Sequence, residues 1–401
     1  MVSDQTTMSR PVSAIDPFSH VFLRDPYPHH EAMREAGPVV WLEHYGIWAM
    51  ARHQEVRDAL TDWQTYCSSA GVGLSDFRKE PPWRPPRIIL EADPPLHTRT
   101  RAVLTRILSP AAIKTLRETF DREAELLVAR LVEQREFDGI KNLAEAYPLK
   151  VFPDAVGISE EGRENLLPYG SMVFNSFGPR NDLFDQAMAN AGPVREWIMS
   201  KCSRAALAPG GLGRQIFEAV DSGELSEDEA GMLVRSFLSA GIDTTVYGLG
   251  NALHCFASYP EQWTLLRENP ALIRGAFEEV LRFEAPVQTF FRTTTRDVEV
   301  GGVQLGDGEK VLLFLAAANR DPRRWDHADT FDVRRRATGH MTFGTGIHGC
   351  VGQAVARLES EAIFGAMARR VAAFELTGEP KRRLNNTLRG LDSLPLRIVP
   401  V

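Results

Sequence analysis

Phe343-Gly344-Thr345-Gly346-Ile347-His348-Gly349-Cys350-Val351-Gly352 places one cysteine in a loop spaced by glycines. Glycine lets the backbone turn tightly and approach a flat ligand closely. Directly behind it, the run from Val351 to Glu359 begins an amphipathic helical pattern. A cysteine at a helix N-terminus faces unpaired N–H groups and the positive end of the helix dipole. Both are expected to lower the pKa of Cys350 and favour the thiolate, the form that ligates metal. Taken alone, a free cysteine is more often a small buried hydrophobe.

The rest of the chain bounds what this loop can belong to. It has 401 residues, 43% hydrophobic and 25% charged, an ordinary globular composition. The net charge of -7 gives no electrostatic support for a nucleic-acid role. Cys67, Cys202, Cys255 and Cys350 show no C-x-x-C spacing, so neither a zinc site nor a disulfide framework is indicated. The polar start, Met1 to Thr7, lacks the layout of a signal peptide, and no apolar run is long enough for a membrane span. A cytoplasmic, unanchored protein is expected. With no internal repeat or linker, residues 1–401 read as one mainly α domain with small β-sheets, residues 1–20 forming a loose N-terminal arm.

Upstream of the loop, Ser226 and Glu229 form a capping box that opens a helix of about 33 residues, roughly 50 Å long. Its middle reads Ala240-Gly241-Ile242-Asp243-Thr244-Thr245. Glycine and threonine weaken a helix interior, because a threonine hydroxyl can bond back to a preceding carbonyl. An acid beside an alcohol at a weak point can hold water or a small ligand. Glu279 and Arg282 are three apart and can pair on one helix face. His97 and Arg101 are four apart at the start of another helix. Between Ser68 and Pro95 the chain loses helical periodicity, yet Trp83, Ile88, Ile89 and Leu90 argue against disorder. Arg84 and Arg87 flank a Pro-Pro pair there; the plain reading of each is a solvated surface charge. Phe174 and Phe177 form an aromatic pair at helical spacing in the irregular stretch 160–205, a pattern more often core than ligand contact.

The pattern F-x-x-G-x-x-x-C-x-G at Phe343 to Gly352 resembles the haem-ligand signature of the cytochrome P450 monooxygenases. The sequences Ala240–Thr245, Glu279–Arg282 and Asn319–Pro322 match further motifs of that family in the same order. The resemblance implies haem b between the long central helix and the cysteine loop, with iron held by Cys350. A thiolate donates electron density to iron and favours O–O cleavage. It further implies that His97, Arg101 and Arg292 bind the haem propionates, that Ala240, Gly241, Phe343, His348 and Gly352 surround the cofactor, and that Asp243 and Thr244 deliver protons. Glu279 and Arg282 become a buried structural pair joined by Arg335, with Arg334 as the alternative third member.

A narrower likeness is to bacterial members that oxidise para-substituted benzoic and related aromatic acids. It is carried by Gly71–Leu74, Trp83–Pro86, Ala144–Leu149, Val287–Arg292 and Asn385–Gly390. It implies O-demethylation or hydroxylation of a small aromatic carboxylic acid at the para substituent or adjacent ring position. The implied partners are O2 and an iron–sulfur ferredoxin with its NAD(P)H-dependent reductase. Substrate contacts are expected from Arg84, Arg87, Phe174, Phe177, Ser236, Ser239 and Phe290. The position of Arg87 is commonly a small hydroxyl residue in that group, a departure bearing on the exact substrate. A peroxide-driven peroxygenase and a non-catalytic haem redox or gas sensor are the competing readings. The Asp243-Thr244 pair speaks against the first, and the lack of a visible output domain against the second.

Overall fold

Helices follow the apolar periodicity of the sequence and dominate the computed structural model, which describes residues 10–82 and 84–401. Ser226 caps the helix Glu227–Ala240 through both bonds of the capping box, its hydroxyl accepting from Glu229 N and the Glu229 carboxylate from Ser226 N. The expected 33-residue helix is not continuous. It stops at Ala240 and a second helix, Asp243–Ser258, begins three residues later. The Thr244 hydroxyl donates to Ala240 O (2.9 Å) at the break. Gly241 lies against the Phe152 ring so closely that a Cβ would fall 2.4 Å from a ring carbon, which requires glycine there.

The stretch 160–205 is more regular than its sequence implied, holding helices Leu166–Asn175, Asp182–Met188 and Ala191–Ser200. The N-terminal arm also needs correction. Residues 1–9 and Trp83 lie outside the described residues, but Val12–Ser13 pairs in parallel with Trp41–Leu42, and Phe18 is buried against Phe291. That pairing makes Val12–Ser13 the edge of a six-stranded sheet. The order continues through Val40–Leu42, Ile47–Met50, Lys310–Phe314, Thr289–Thr294 and Tyr66–Cys67. The strand Thr289–Thr294 carries Phe290 and Arg292.

The cysteine loop leads into the helix Gln353–Arg370, which packs along Pro110–Gln134. Glu279 is fully buried and accepts from Arg282 Nε (2.7 Å) and Nη2 (2.8 Å) and from Arg335 Nε (3.2 Å). Arg334 instead pairs with Asp332. The remaining Arg282 donors reach the carbonyls of Asn319, Ala328 and Thr330, tying the helix Ile273–Phe283 to the irregular chain before the cysteine loop.

Glu359 is a buried carboxyl with neither oxygen hydrogen-bonded, and burial pushes its pKa well above the ordinary range. A carboxyl held neutral in the fold ionises when the chain unfolds. Its contribution to stability is therefore intact below the unfolded pKa and falls as pH rises from there towards the folded value. Glu359→Gln should melt close to wild type at pH 5 and a few degrees higher at pH 8. Equal melting differences at the two pH values would contradict this.

Candidate active site

One large cavity lies where the helix break, the Ser68–Pro95 loop, the strand Thr289–Thr294 and the cysteine loop meet. Its empty space is about 1650 Å³ with the open solvent of its mouth counted in. Ser236, Ser239, Ala240, Gly241, Thr244 and Thr245 form one wall. Phe343, Gly344, His348, Cys350 and Gly352 of the cysteine loop line it as well. Gly344 and Gly346 have φ of 65° and 67°, the left-handed conformation that the loop's tight course requires.

Cys350 is held by its backbone N–H, which donates to Phe343 O (2.7 Å). Its thiol pKa is raised, contrary to the expectation from helix position. Burial dominates, while the N–H groups of Gly352 and Gln353 pull in the lowering direction. A coordinated cation reverses that balance, since a metal-bound thiol is deprotonated outright.

Basic groups surround the same end of the cavity. Arg101, Arg292 and His348 line it. Arg292 is buried and its pKa falls to about 10, chiefly through burial. His97 does not line the cavity. Its ring lies 4.3 Å from that of His348, tilted by 54°, and burial with the neighbouring His348 lowers its pKa to about 4. His97 Nε2 is buried without a hydrogen-bond partner, while His348 Nε2 lies 3.9 Å from Asp93 Oδ1.

Asp243 is buried, but its carboxyl turns away from the cavity towards the helix Leu166–Asn175. A Cβ on Gly170 would fall 2.1 Å from Asp243 Oδ2, so only glycine leaves room for the acid. Oδ1 has no partner, and burial raises the pKa well above the usual carboxylate range. Thr244, the next residue, does face the cavity.

Phe174, Phe290, Ser236, Ser239 and Arg87 also line the space. Two expected substrate residues are corrected. Arg84 lines a separate small pocket and is held by Glu91 through two bonds of 2.7 and 2.8 Å. Phe177 stands behind the wall, packing on Phe174 (5.8 Å) and Phe290 (5.7 Å). Arg87 is 3% exposed, its Nη2 has no partner, and burial beside Arg84 lowers its pKa to about 10. The serine hydroxyls donate to helix carbonyls, Ser236 to Met232 O (2.9 Å) and Ser239 to Ser236 O (3.0 Å).

Sequence reasoning missed Gly170, Asp93 and Arg235. Nothing local marks the first two, whose partners Asp243 and His348 are distant in sequence. Arg235 had a signal: it is the one basic residue of Glu227–Ala240, within an apolar run.

A cysteine beneath a large apolar cavity, ringed by cations and facing a broken helix, defines a haem-thiolate site. The family model described as Cytochrome P450 matches residues 212–398. The chain is 56% identical over 391 residues to Cytochrome p450 CYP199A2 of Rhodopseudomonas palustris, covering 97% of this chain and 95% of the relative. It is 32% identical to Cytochrome P450 107B1 of Saccharopolyspora erythraea, with 95% and 96% covered. Among solved structures, cytochrome P450 CREJ in complex with (4-ethylphenyl) dihydrogen phosphate superposes with a TM-score of 0.85 at 25% identity, covering 96% and 99% of the two chains. The chain belongs to the cytochrome P450 family and is a haem-dependent monooxygenase.

Members of the family hold haem b through a cysteine thiolate. The residues here fit that group. The unpartnered Nε2 of His97, the His348 ring, half-buried Arg101 and buried Arg292 offer donors for two propionate carboxylates beside a cysteine that faces open space. Among the described residues no helix is long and apolar enough to cross a membrane, and no cluster of three or more metal-binding side chains occurs.

Proposed function

We propose that this enzyme oxidises a small aromatic carboxylic acid, by O-demethylation or hydroxylation at the para substituent or adjacent ring position. The observation that carries the reading is Arg87, a buried guanidinium with an open donor at the cavity wall. A guanidinium fork suits a carboxylate because it can donate two bonds at once. Both serine protons are spent on helix carbonyls, so charge recognition falls to Arg87. Phe174 and Phe290 give the ring an apolar wall that excludes water. The aryl phosphate named for the CREJ structure is likewise an aromatic ring with an acidic head.

Cys350 Sγ would ligate the iron, and His97, Arg101, Arg292 and His348 would hold the propionates. Haem, when bound, supplies activation of O2 and transfer of one oxygen atom to the substrate. Burial raises the pKa of the Asp243 carboxyl well above the usual carboxylate range, which favours its protonated form. Thr244 Oγ1 passes protons from that side into the cavity, exchanging its bond to Ala240 O for one to the site. Electrons come from an iron–sulfur ferredoxin and its NAD(P)H-dependent reductase in the cytoplasm.

The test is a Soret titration of ferric enzyme with 4-methoxybenzoate and its neutral amide. Charged hydrogen bonds are worth about 1.5–3 kcal/mol, so the acid should bind roughly 10- to 100-fold tighter. Arg87→Gln should erase that preference. Equal affinity for acid and amide in the wild type would sink the assignment.

A further inference from the structure

A helix ends on carbonyls that have no partner within the helix. At the end of Leu166–Asn175 these groups are satisfied from the C-terminal part of the chain. The Thr387 hydroxyl donates to Phe174 O (2.9 Å), and Asn386 Nδ2 donates to Asn175 O (3.0 Å). Asn386 Nδ2 also faces Asn181 Oδ1 (3.0 Å) and Pro179 O (3.3 Å), while Asn386 Oδ1 accepts from Asn181 Nδ2 (2.8 Å). Asn181 is the N-cap of Asp182–Met188, its Oδ1 accepting from Phe184 N (3.1 Å). The Asn386 backbone N–H donates to Asn175 Oδ1 (3.0 Å). One asparagine thus joins the C-terminal end of one helix to the N-cap of the next.

The same segment is tied to the chain that leads into the strand Thr289–Thr294. Thr387 O accepts from Gln288 N (2.9 Å), Arg389 N donates to Pro286 O (2.8 Å), and Leu388 forms a β-bridge with Val287. Asn385 Oδ1 holds the turn by accepting from the N–H groups of Thr387 (2.9 Å) and Leu388 (3.0 Å). Asn175, Asn386 and Thr387 are each 2–3% exposed. In a buried network of this kind, removing one donor leaves its partners unsatisfied in a low dielectric. The brace therefore grips the backbone at Phe174 and, through Val287 and Gln288, the start of the strand that carries Phe290. Both rings line the cavity; Asn386 does not.

We propose that Asn386 is a specificity-determining positioning residue. By fixing the corner between the two helices it sets how far Phe174 stands from Phe290, and so how closely the cavity fits an aromatic ring. The role is independent of the charge that anchors the substrate.

The experiment titrates the ferric holoenzyme with imidazole and with 4-phenylimidazole, neutral ligands that both bond the iron and differ by one aromatic ring. Asn386→Asp keeps the shape of the side chain but puts an acceptor where Nδ2 faces three acceptors. That variant should bind 4-phenylimidazole about tenfold more weakly than wild type and imidazole within about twofold. A role in stability alone would leave both affinities of the folded holoenzyme unchanged. Phe174→Ala should also weaken 4-phenylimidazole, and adding Asn386→Asp to it should cost nothing further, because the ring being positioned is gone. Asn181→Asp removes the amide that donates to Asn386 Oδ1 and keeps the cap on Phe184, so it should shift the two affinities in the same direction. It decides the question if Asn386→Asp fails to take up haem. Equal weakening of both ligands, no weakening of either, a Phe174→Ala enzyme that binds 4-phenylimidazole as wild type does, or additive losses in the double variant would overturn the proposal.

Discussion

Cys350→His should still take up haem but lose the red-shifted ferrous–carbonyl band and monooxygenase turnover. The haem end of the cavity explains the first half. Basic residues on three elements remain around it: His97 and Arg101 on the helix Leu96–Ile107, Arg292 on the strand Thr289–Thr294 and His348 in the cysteine loop. The second half follows from the ligand, because thiolate pushes electron density onto iron in a way that imidazole does not. The protein alone holds the Cys350 thiol protonated through burial, so thiolate formation depends on the metal. Persistence of the band in the variant would assign the ligand elsewhere.

Asp243→Asn should slow turnover by about 10²–10⁴, the usual worth of general acid–base assistance. The neutral acid and the amide have nearly the same shape, so the substitution preserves packing against Gly170 and removes only the exchangeable acid. Haem content and substrate affinity should not change. Thr244→Ala should consume NADH but divert more of it to peroxide, since Thr244 is the member of the pair that faces the cavity. Unchanged turnover in the first variant and unchanged coupling in the second would remove both residues from proton delivery.

The parts legible in the sequence are those fixed by local spacing. The cysteine loop, the capping box at Ser226 and the pairing of Glu279 with Arg282 each join residues within ten positions. The helix break was half legible. Gly241 and Thr244 signalled weakness, but separation into two helices also depends on Phe152, far upstream, packing onto Gly241. Arg84 and Arg87 are indistinguishable as sequence, two arginines around two prolines. Only the fold shows that Glu91 captures one side chain and leaves the other at the cavity. The direction of Asp243 was hidden for the same reason, because the space it fills is made by a glycine on another helix.

The most direct test of the account supplies a ferredoxin, its reductase, NADH and ¹⁸O2 to the enzyme with 4-methylbenzoic acid and follows the product by mass spectrometry. The account predicts 4-hydroxymethylbenzoic acid carrying one ¹⁸O atom, formed only when NADH and the electron carriers are present. Product formed equally well from unlabelled peroxide alone, label absent from the product, or no oxidation of any aromatic acid would contradict it.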